Sequence, residues 1–210
     1  MSTQASAASE STFEAVLYTV EALAARAQSP ELVKLSHRVS SLLGDWESLH
    51  AERRRVRRSV VRANAQAHAA DAGLDAAIHA FARDVLTAVE GDAGHDLYKR
   101  FFFEPHDDII AMGLDAELPV VTLLVHTLEH AEDLPARLKA HLEPLRAGLR
   151  LGNGALGDRS ESYADLGRLA AREIAWAETA KSTLASVRRT LARIAGEQGH
   201  TNAWVESFFS

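Results

Sequence analysis

Apolar residues recur every three or four positions along most of this chain, which is the spacing of amphipathic α-helices. The longest run covers residues 32–88 with a seven-residue repeat that only Arg53 and Asp84 interrupt. A second run covers residues 163–194, and only Glu173 interrupts it. Apolar heptads sustained over several repeats predict coiled-coil packing. Nothing alternates with the two-residue period of a strand for long enough to predict a sheet.

The two runs match in side-chain size when they are read in opposite directions. Val60 then falls opposite Leu184, and the alanine-rich stretch around Ala67 falls opposite the one around Ala177. Small residues opposite small residues let two helices approach without leaving a void. The pattern therefore predicts an all-α fold, an elongated helical bundle with a long antiparallel coiled-coil hairpin and a small helical head. The alternative is that each run associates with a second copy of the chain.

Glycine and proline residues set the expected boundaries. Gly44 and Gly73 are candidate breaks within the first run, and the segment 152–154 (Gly-Asn-Gly) predicts a loop before the second. Ser11 and Glu14 form a capping box that predicts the first helix start. The expected organisation is a disordered leader at 1–10, a single elongated domain at 11–199 (stalk about 30–90 with 160–197, head about 91–159) and an aromatic tail at 200–210.

Composition indicates a folded protein and narrows its partners. The apolar fraction of 47% and charged fraction of 25% are ordinary for globular proteins. A net charge of −6 argues against a general nucleic-acid binder. The absence of cysteine excludes disulfides and thiolate metal sites and fits a reducing compartment. Without a secretory signal or a membrane-length apolar stretch, the expectation is a cytoplasmic protein that does not act at a membrane. The excess of arginine over lysine indicates a bacterial source with GC-rich coding.

Charge is unevenly distributed and marks candidate contact surfaces. Basic side chains cluster in the middle of the first run, whereas acidic side chains concentrate in the predicted head. Opposite charges can steer association between copies of the chain, although the same charges also suit a solvated helix face. A short aromatic cluster closes the chain. The candidate interaction residues are Arg53, Arg54, Arg57, Arg58, Asp107, Asp108, Trp204, Phe208 and Phe209.

Histidine spacing raises the alternative of metal chemistry. His126 and His130 lie four apart, so a helix places both on one face, where they can hold a divalent metal with a third ligand. Thr127 stands where a helical zinc hydrolase carries its general-base glutamate. Glu47 and His50 have the spacing of half a di-iron site, which requires a second such motif in a helical core.

A short acidic segment before the predicted helix at Ile109 allows two interpretations. Four ionisable residues follow the aromatic run 101–103 closely, namely Glu104, His106, Asp107 and Asp108. These side chains could hold a cation, or the aspartates could cap the next helix by accepting its free backbone N–H groups. The aromatic run itself is expected in the core of the head.

No motif for a serine nucleophile, a phosphate-binding loop or a dinucleotide appears, so no catalytic residue, cofactor or small-molecule substrate is predicted. The expected function is that of a non-enzymatic structural or interaction protein, a scaffold, adaptor or assembly subunit that binds a protein partner or itself. Two alternatives stay open. One is a helical metal-binding or ferritin-like protein that uses histidines and carboxylates, and the other is a membrane-active helical protein.

Overall fold

The chain folds into helices throughout the part that the structure describes. The computed structural model describes residues 2–26 and 29–209, so Met1 of the expected leader and Ser210 of the expected tail lie outside it. The predicted all-α class is confirmed, with no strand among these residues. The helices are α1 (Ser2–Ala24), α2 (Pro30–Ala88), α3 (Asp96–Lys99), α4 (His106–Ile110), α5 (Leu114–Glu129), α6 (Ala136–Lys139), α7 (Leu142–Gln198) and α8 (Asn202–Glu206). No helix within the described ranges is long and apolar enough to cross a membrane.

These helices belong to two compact units, where the sequence predicted a single domain over 11–199. Unit 1 comprises Met1–Arg57 with Ala164–Ser210, and unit 2 comprises Arg58–Tyr163. The long helices α2 and α7 each contribute to both units. The division therefore falls inside the expected stalk, and the expected head at 91–159 is only part of unit 2.

Unit 1 packs α1, the first part of α2, the last part of α7 and α8 around one apolar core. The Trp46 and Trp176 rings meet at its centre, with centroids 4.4 Å apart. Here α2 and α7 run antiparallel, because Arg38 contacts Ser186 whereas Glu52, further along α2, contacts the earlier Arg172. Other core residues are Val16, Val20, Leu23, Leu32, Leu35, Val39, Leu42, Leu49, Val187, Leu191 and Ile194.

The antiparallel direction agrees with the prediction from side-chain size, but the predicted register is wrong. In unit 1, Arg38 lies opposite Ser186 and Glu52 lies opposite Arg172, whereas the register that pairs Val60 with Leu184 would place later residues of the chain opposite Arg38. The reason is that α7 begins at Leu142 and continues through the segment expected to form a loop. Fewer residues therefore separate the two long helices, and α7 is displaced along α2.

Two glycines of α7 lie where other helices of unit 2 pack closely against its backbone. A Cβ atom on Gly148 would lie 2.6 Å from Leu74 Cδ1, and one on Gly152 would lie 2.7 Å from Leu118 Cδ2. These glycines allow buried leucines of α2 and α5 to approach the α7 backbone closely, so they serve packing and not chain reversal. Gly44, the earlier of the two expected breaks in the first run, likewise lies inside a continuous helix.

The N-terminal segment differs from the expected disordered leader at 1–10. Helix α1 begins at Ser2 and continues through Ser11 and Glu14, so the predicted capping box lies inside a helix. Ser9 is only 1% exposed. Residues 2–10 are therefore helical, and they belong to unit 1.

Unit 2 packs the last part of α2 and the first part of α7 with the short helices α3 to α6. Phe101 and Phe102 are buried as predicted, whereas Phe103 is 63% exposed. Gly113 has a positive φ of 75°, which glycine adopts without strain, and this turn sets the start of α5. The core includes Leu74, Ile78, Phe81, Val85, Ile109, Leu118, Val121, Leu128 and Leu145.

Candidate metal centre

Three carboxylates of unit 2 converge between α2 and α5. Asp71 and Asp75 lie four residues apart on α2, so both occupy one face of the helix. Glu117 lies near the start of α5, after the turn at Gly113. One oxygen of each carboxylate lies within 4.8 Å of the others. This is the most enclosed group of ligand-type side chains among the described residues.

Glu117 is fully enclosed, with 0% of its surface exposed. Neither of its oxygens has a hydrogen-bond donor, and Asp71 Oδ1 and Asp75 Oδ1 are also buried without one. Within the described ranges, no basic side chain forms an ion pair with any of the three. A buried polar group without a partner costs about 1–3 kcal/mol, and more when it is charged. The cluster therefore requires a proton or a cation.

The crowding of carboxylates changes their protonation. Burial raises the pKa of Glu117 to about 8, with further contributions from the charge of Asp75, a hydrogen bond with Asp75 and the charge of Asp71. Burial also raises the pKa of Asp75, as does Asp71, whereas Glu117 and His79 oppose that rise. Two carboxylates can hydrogen-bond each other only through a shared proton, so in the absence of a cation the Glu117–Asp75 pair retains one proton at neutral pH.

A shared proton leaves the cluster incompletely satisfied. It joins one oxygen of Glu117 to one of Asp75, so the second Glu117 oxygen and Asp71 Oδ1 still lack a partner. A divalent cation can contact all three carboxylates at once. Oxygen-only ligands suit Ca²⁺, Mg²⁺ and Mn²⁺. Asp71 and Asp75 are only partly buried, which leaves room for water to complete the coordination shell.

A second group of ligand-type side chains lies further along α2. It consists of His79 on α2 with His106 and Asp107 on α4, whose ligand atoms again lie within 4.8 Å of one another. The predicted capping role of the aspartates is not found, because Pro105 is the N-cap of α4 and Asp107 lies in its first turn. The alternative prediction for this segment, a cation site, is compatible with the positions of His106 and Asp107.

The histidine pair His126 and His130 is exposed and forms a third group with Glu129. The two rings lie close together, with centroids 4.3 Å apart. Glu129, however, is held by Arg146 at 2.7 Å. Using Glu129 as a ligand requires breaking this ion pair, so the pair offers a weaker site than the enclosed carboxylates.

The half di-iron motif on α2 is not completed in the structure. Glu47 is exposed, whereas the His50 ring packs against Trp46 with centroids 4.7 Å apart. Among the described residues, no group of three ligand-type side chains includes either Glu47 or His50.

The four arginines predicted as contacts occupy different environments. Arg53 is half-buried in unit 1 and lies 2.5 Å from the carboxylate of Glu173. Arg54 and Arg57 are exposed in the same unit, and Arg58 is exposed in unit 2. Arg53 therefore contributes to the packing of unit 1, while contact with a partner stays a prediction for the other three.

The remaining predicted contacts also divide by exposure. Phe208 is 0% exposed and lies in the core of unit 1, so the structure places it inside the unit and not on a contact surface. Trp204 and Phe209 are half-buried beside it, and Asp107 and Asp108 are exposed on α4.

The apolar pattern alone does not reveal the enclosed carboxylates, although the sequence contains one signal for them. Asp71 and Asp75 are like charges four apart on a helix, an arrangement that destabilises an isolated helix slightly. They flank Leu74, which is fully buried. Glu117 carries no comparable signal, because its burial depends on how α5 packs.

Comparisons of the chain with protein-family models, with curated proteins and with solved structures find no match. Function is therefore inferred from the residues of this chain.

Proposed function

We propose that the protein binds a hard divalent cation in unit 2 through Asp71, Asp75 and Glu117. The observation that carries this proposal is Glu117: it is 0% exposed, and both of its oxygens lack a donor. A carboxylate buried for structural reasons is normally paired with a basic side chain or with backbone N–H groups. A cation supplies the missing partner. This proposal corresponds to the alternative function predicted from the sequence, a helical metal-binding protein, with carboxylates as the ligands.

Calorimetric titration of metal-free protein with Mn²⁺ tests this proposal. We expect one Mn²⁺ per chain, a higher unfolding temperature with Mn²⁺, and proton release, since the bound ion displaces the proton of Glu117. At a free ion concentration about 100 times the Kd, binding adds about 2.7 kcal/mol to the free energy of unfolding. Titrations in buffers of different ionisation enthalpy measure the released proton.

Three variants separate this site from the rest of the acidic surface. Asp75→Asn and Glu117→Gln should each abolish Mn²⁺ binding. Asp115→Asn is the matched control, because Asp115 also lies near the start of α5 but is exposed and pairs with Arg159. This variant should bind Mn²⁺ as the wild type does.

The competing explanation is a cluster held by a shared proton alone. In metal-free protein, Glu117→Gln should raise the unfolding temperature, since an amide keeps the shape of the side chain and supplies a donor. If this variant is stable while the wild type binds none of Mn²⁺, Mg²⁺ and Ca²⁺, the shared proton is sufficient and the cation proposal is overturned.

A second proposal is the structural or interaction function predicted from the sequence. It is supported by exposed charges of opposite sign, with Arg57 in unit 1 and Asp107 and Asp108 in unit 2. Such charges favour association between copies of the chain or with a protein partner. The salt dependence of the molecular mass in solution tests this proposal.

A further inference from the structure

We propose that His79, His106 and Asp107 form a second metal site in unit 2, suited to a borderline cation such as Zn²⁺. The site uses none of the three carboxylates assigned to the first, so it does not depend on the first proposal. Its ligand set also differs in kind. Imidazole nitrogens with one carboxylate suit Zn²⁺ and related transition metals, whereas carboxylates alone suit harder ions.

The three ligand atoms are close to the spacing that a metal ion requires. They lie within 4.8 Å of one another, and His106 Nε2 is 3.4 Å from Asp107 Oδ1. With bonds of about 2 Å, two ligand atoms on one Zn²⁺ are about 3–3.5 Å apart. His79 and Asp107 are exposed, so small side-chain rotations can bring them within range. The His79 and His106 rings are tilted by 56°, so the two do not stack face to face.

Tyr98 holds His106 in place for this role. Its hydroxyl lies 3.1 Å from His106 Nδ1 and accepts a hydrogen bond from the His106 backbone nitrogen at 3.3 Å. Tyr98 is itself fixed, with 6% exposure and its ring stacked on Phe102. When Nδ1 carries the proton toward the phenol oxygen, Nε2 presents its lone pair to the metal. Metal-binding histidines commonly donate their second N–H to such a partner.

A cavity of about 920 Å³ borders the site, and both histidines line it. Zinc bound by three protein ligands retains an open coordination position for water or an incoming ligand, whereas structural zinc sites are closed by a fourth residue. The cavity is also lined by one residue of each charge, Arg83 and Glu90. The open position would therefore take a water molecule or a small ligand from the cavity.

The test uses full-length chain carrying Glu117→Gln, in which the first site is disabled. Calorimetry with Zn²⁺ should give one bound ion per chain. Co²⁺, which reports its ligands by visible absorption, should show the spectrum of a nitrogen-containing site. Adding His79→Gln or His106→Gln should abolish both signals. His79 is exposed, so its variant should retain the fold and its thermal unfolding temperature even where the His106 variant does not.

Two further variants exclude other origins of the signal. Tyr98→Phe removes the hydroxyl that orients His106 and should weaken Zn²⁺ binding about 10-fold or more, as other changes to partners of metal ligands do. His126→Gln with His130→Gln removes the exposed pair and should leave binding unchanged. If that double variant abolishes binding while His79→Gln retains it, the metal lies at the exposed pair and the inference is wrong. Loss of Zn²⁺ binding in Glu117→Gln alone would also overturn it, because the two groups would then form one site.

Discussion

Arg53 and Glu173 interrupt the apolar repeats of the two long helices, and in unit 1 they bind each other. Arg53 Nη2 lies 2.5 Å from Glu173 Oε2. The side chains are 19% and 9% exposed, and Glu173 Oε1 has no hydrogen-bond partner. Each helix therefore contributes one charge that the other neutralises, and removal of Arg53 leaves the 9% exposed side chain of Glu173 without this partner.

Arg53→Ala should lower the free energy of unfolding by about 3–5 kcal/mol, because it leaves Glu173 buried and unpaired. Replacing both residues with apolar ones, as Arg53→Met with Glu173→Leu, should recover most of this loss. Urea denaturation measures both effects. Arg57→Ala is the control, since Arg57 is exposed on the same helix, and it should change stability by no more than about 0.5 kcal/mol. Equal effects of Arg53→Ala and Arg57→Ala would contradict the importance of the pair.

Gly148→Ala should destabilise unit 2, although alanine normally stabilises a helix interior. The new methyl group would lie 2.6 Å from Leu74 Cδ1, and Leu74 is fully buried and has little room to move. We expect a loss of about 1–2 kcal/mol from overpacking. Gly154→Ala lies on the same helix with no atom within 4 Å of its Cβ, so it should gain about 0.5–1 kcal/mol. Thermal unfolding of the two variants compares them directly, and a gain in both would show that the Leu74 contact is not tight.

Asp84 should make the protein sensitive to acid. Hydrogen bonds from Arg137 and His141 lower its pKa from the ordinary 3.8 to about 2. A carboxylate whose folded pKa is lowered contributes stability above its unfolded pKa and loses that contribution as the pH falls through its folded pKa. The wild type should therefore be more stable than Asp84→Asn above about pH 4, with the difference disappearing toward about pH 2. The urea midpoints of the wild type and Asp84→Asn, measured across this pH range, test the prediction. A difference between the two midpoints that stays constant with pH would contradict it.

The proposal of self-association predicts that salt reduces the molecular mass in solution. Exposed charges of opposite sign attract across about 10 Å at 0.1 M ionic strength but across only about 3 Å at 1 M. Light scattering at low and high salt should show a larger species at low salt only. Arg57→Glu should reduce the amount of this larger species at low salt, whereas Arg57→Lys, which keeps the charge, should not. A monomer under both conditions would end this proposal.

The helical class and the antiparallel direction follow from the sequence because both depend on the period of apolar residues. The register does not follow, because alanine and valine pairs fit almost equally well at several offsets. Arg53 and Glu173 indicate the register, because a charged side chain at a core position needs an oppositely charged partner on the facing helix. Placing Arg53 opposite Glu173 favours the observed register over the register predicted from side-chain size.

The candidate metal site is less accessible to sequence reasoning. Asp71 and Asp75 are detectable as like charges on one helix face, and His106 and Asp107 as a compact polar segment. The burial of Glu117 is not detectable, because it depends on the turn at Gly113 and on the packing of α5 against α2. His126 and His130, which have the more familiar spacing, are exposed, and their nearest carboxylate, Glu129, is already paired with Arg146.

The graded burial of the three carboxylates determines the route by which an ion would enter. Glu117 has no contact with solvent, whereas the two aspartates retain some. An arriving cation would meet Asp71 and Asp75 first, still carrying much of its hydration shell. It would reach Glu117 only after shedding water and displacing a proton. Loading should therefore proceed in a fast step followed by a slow one, and the deep glutamate should also delay the ion's release.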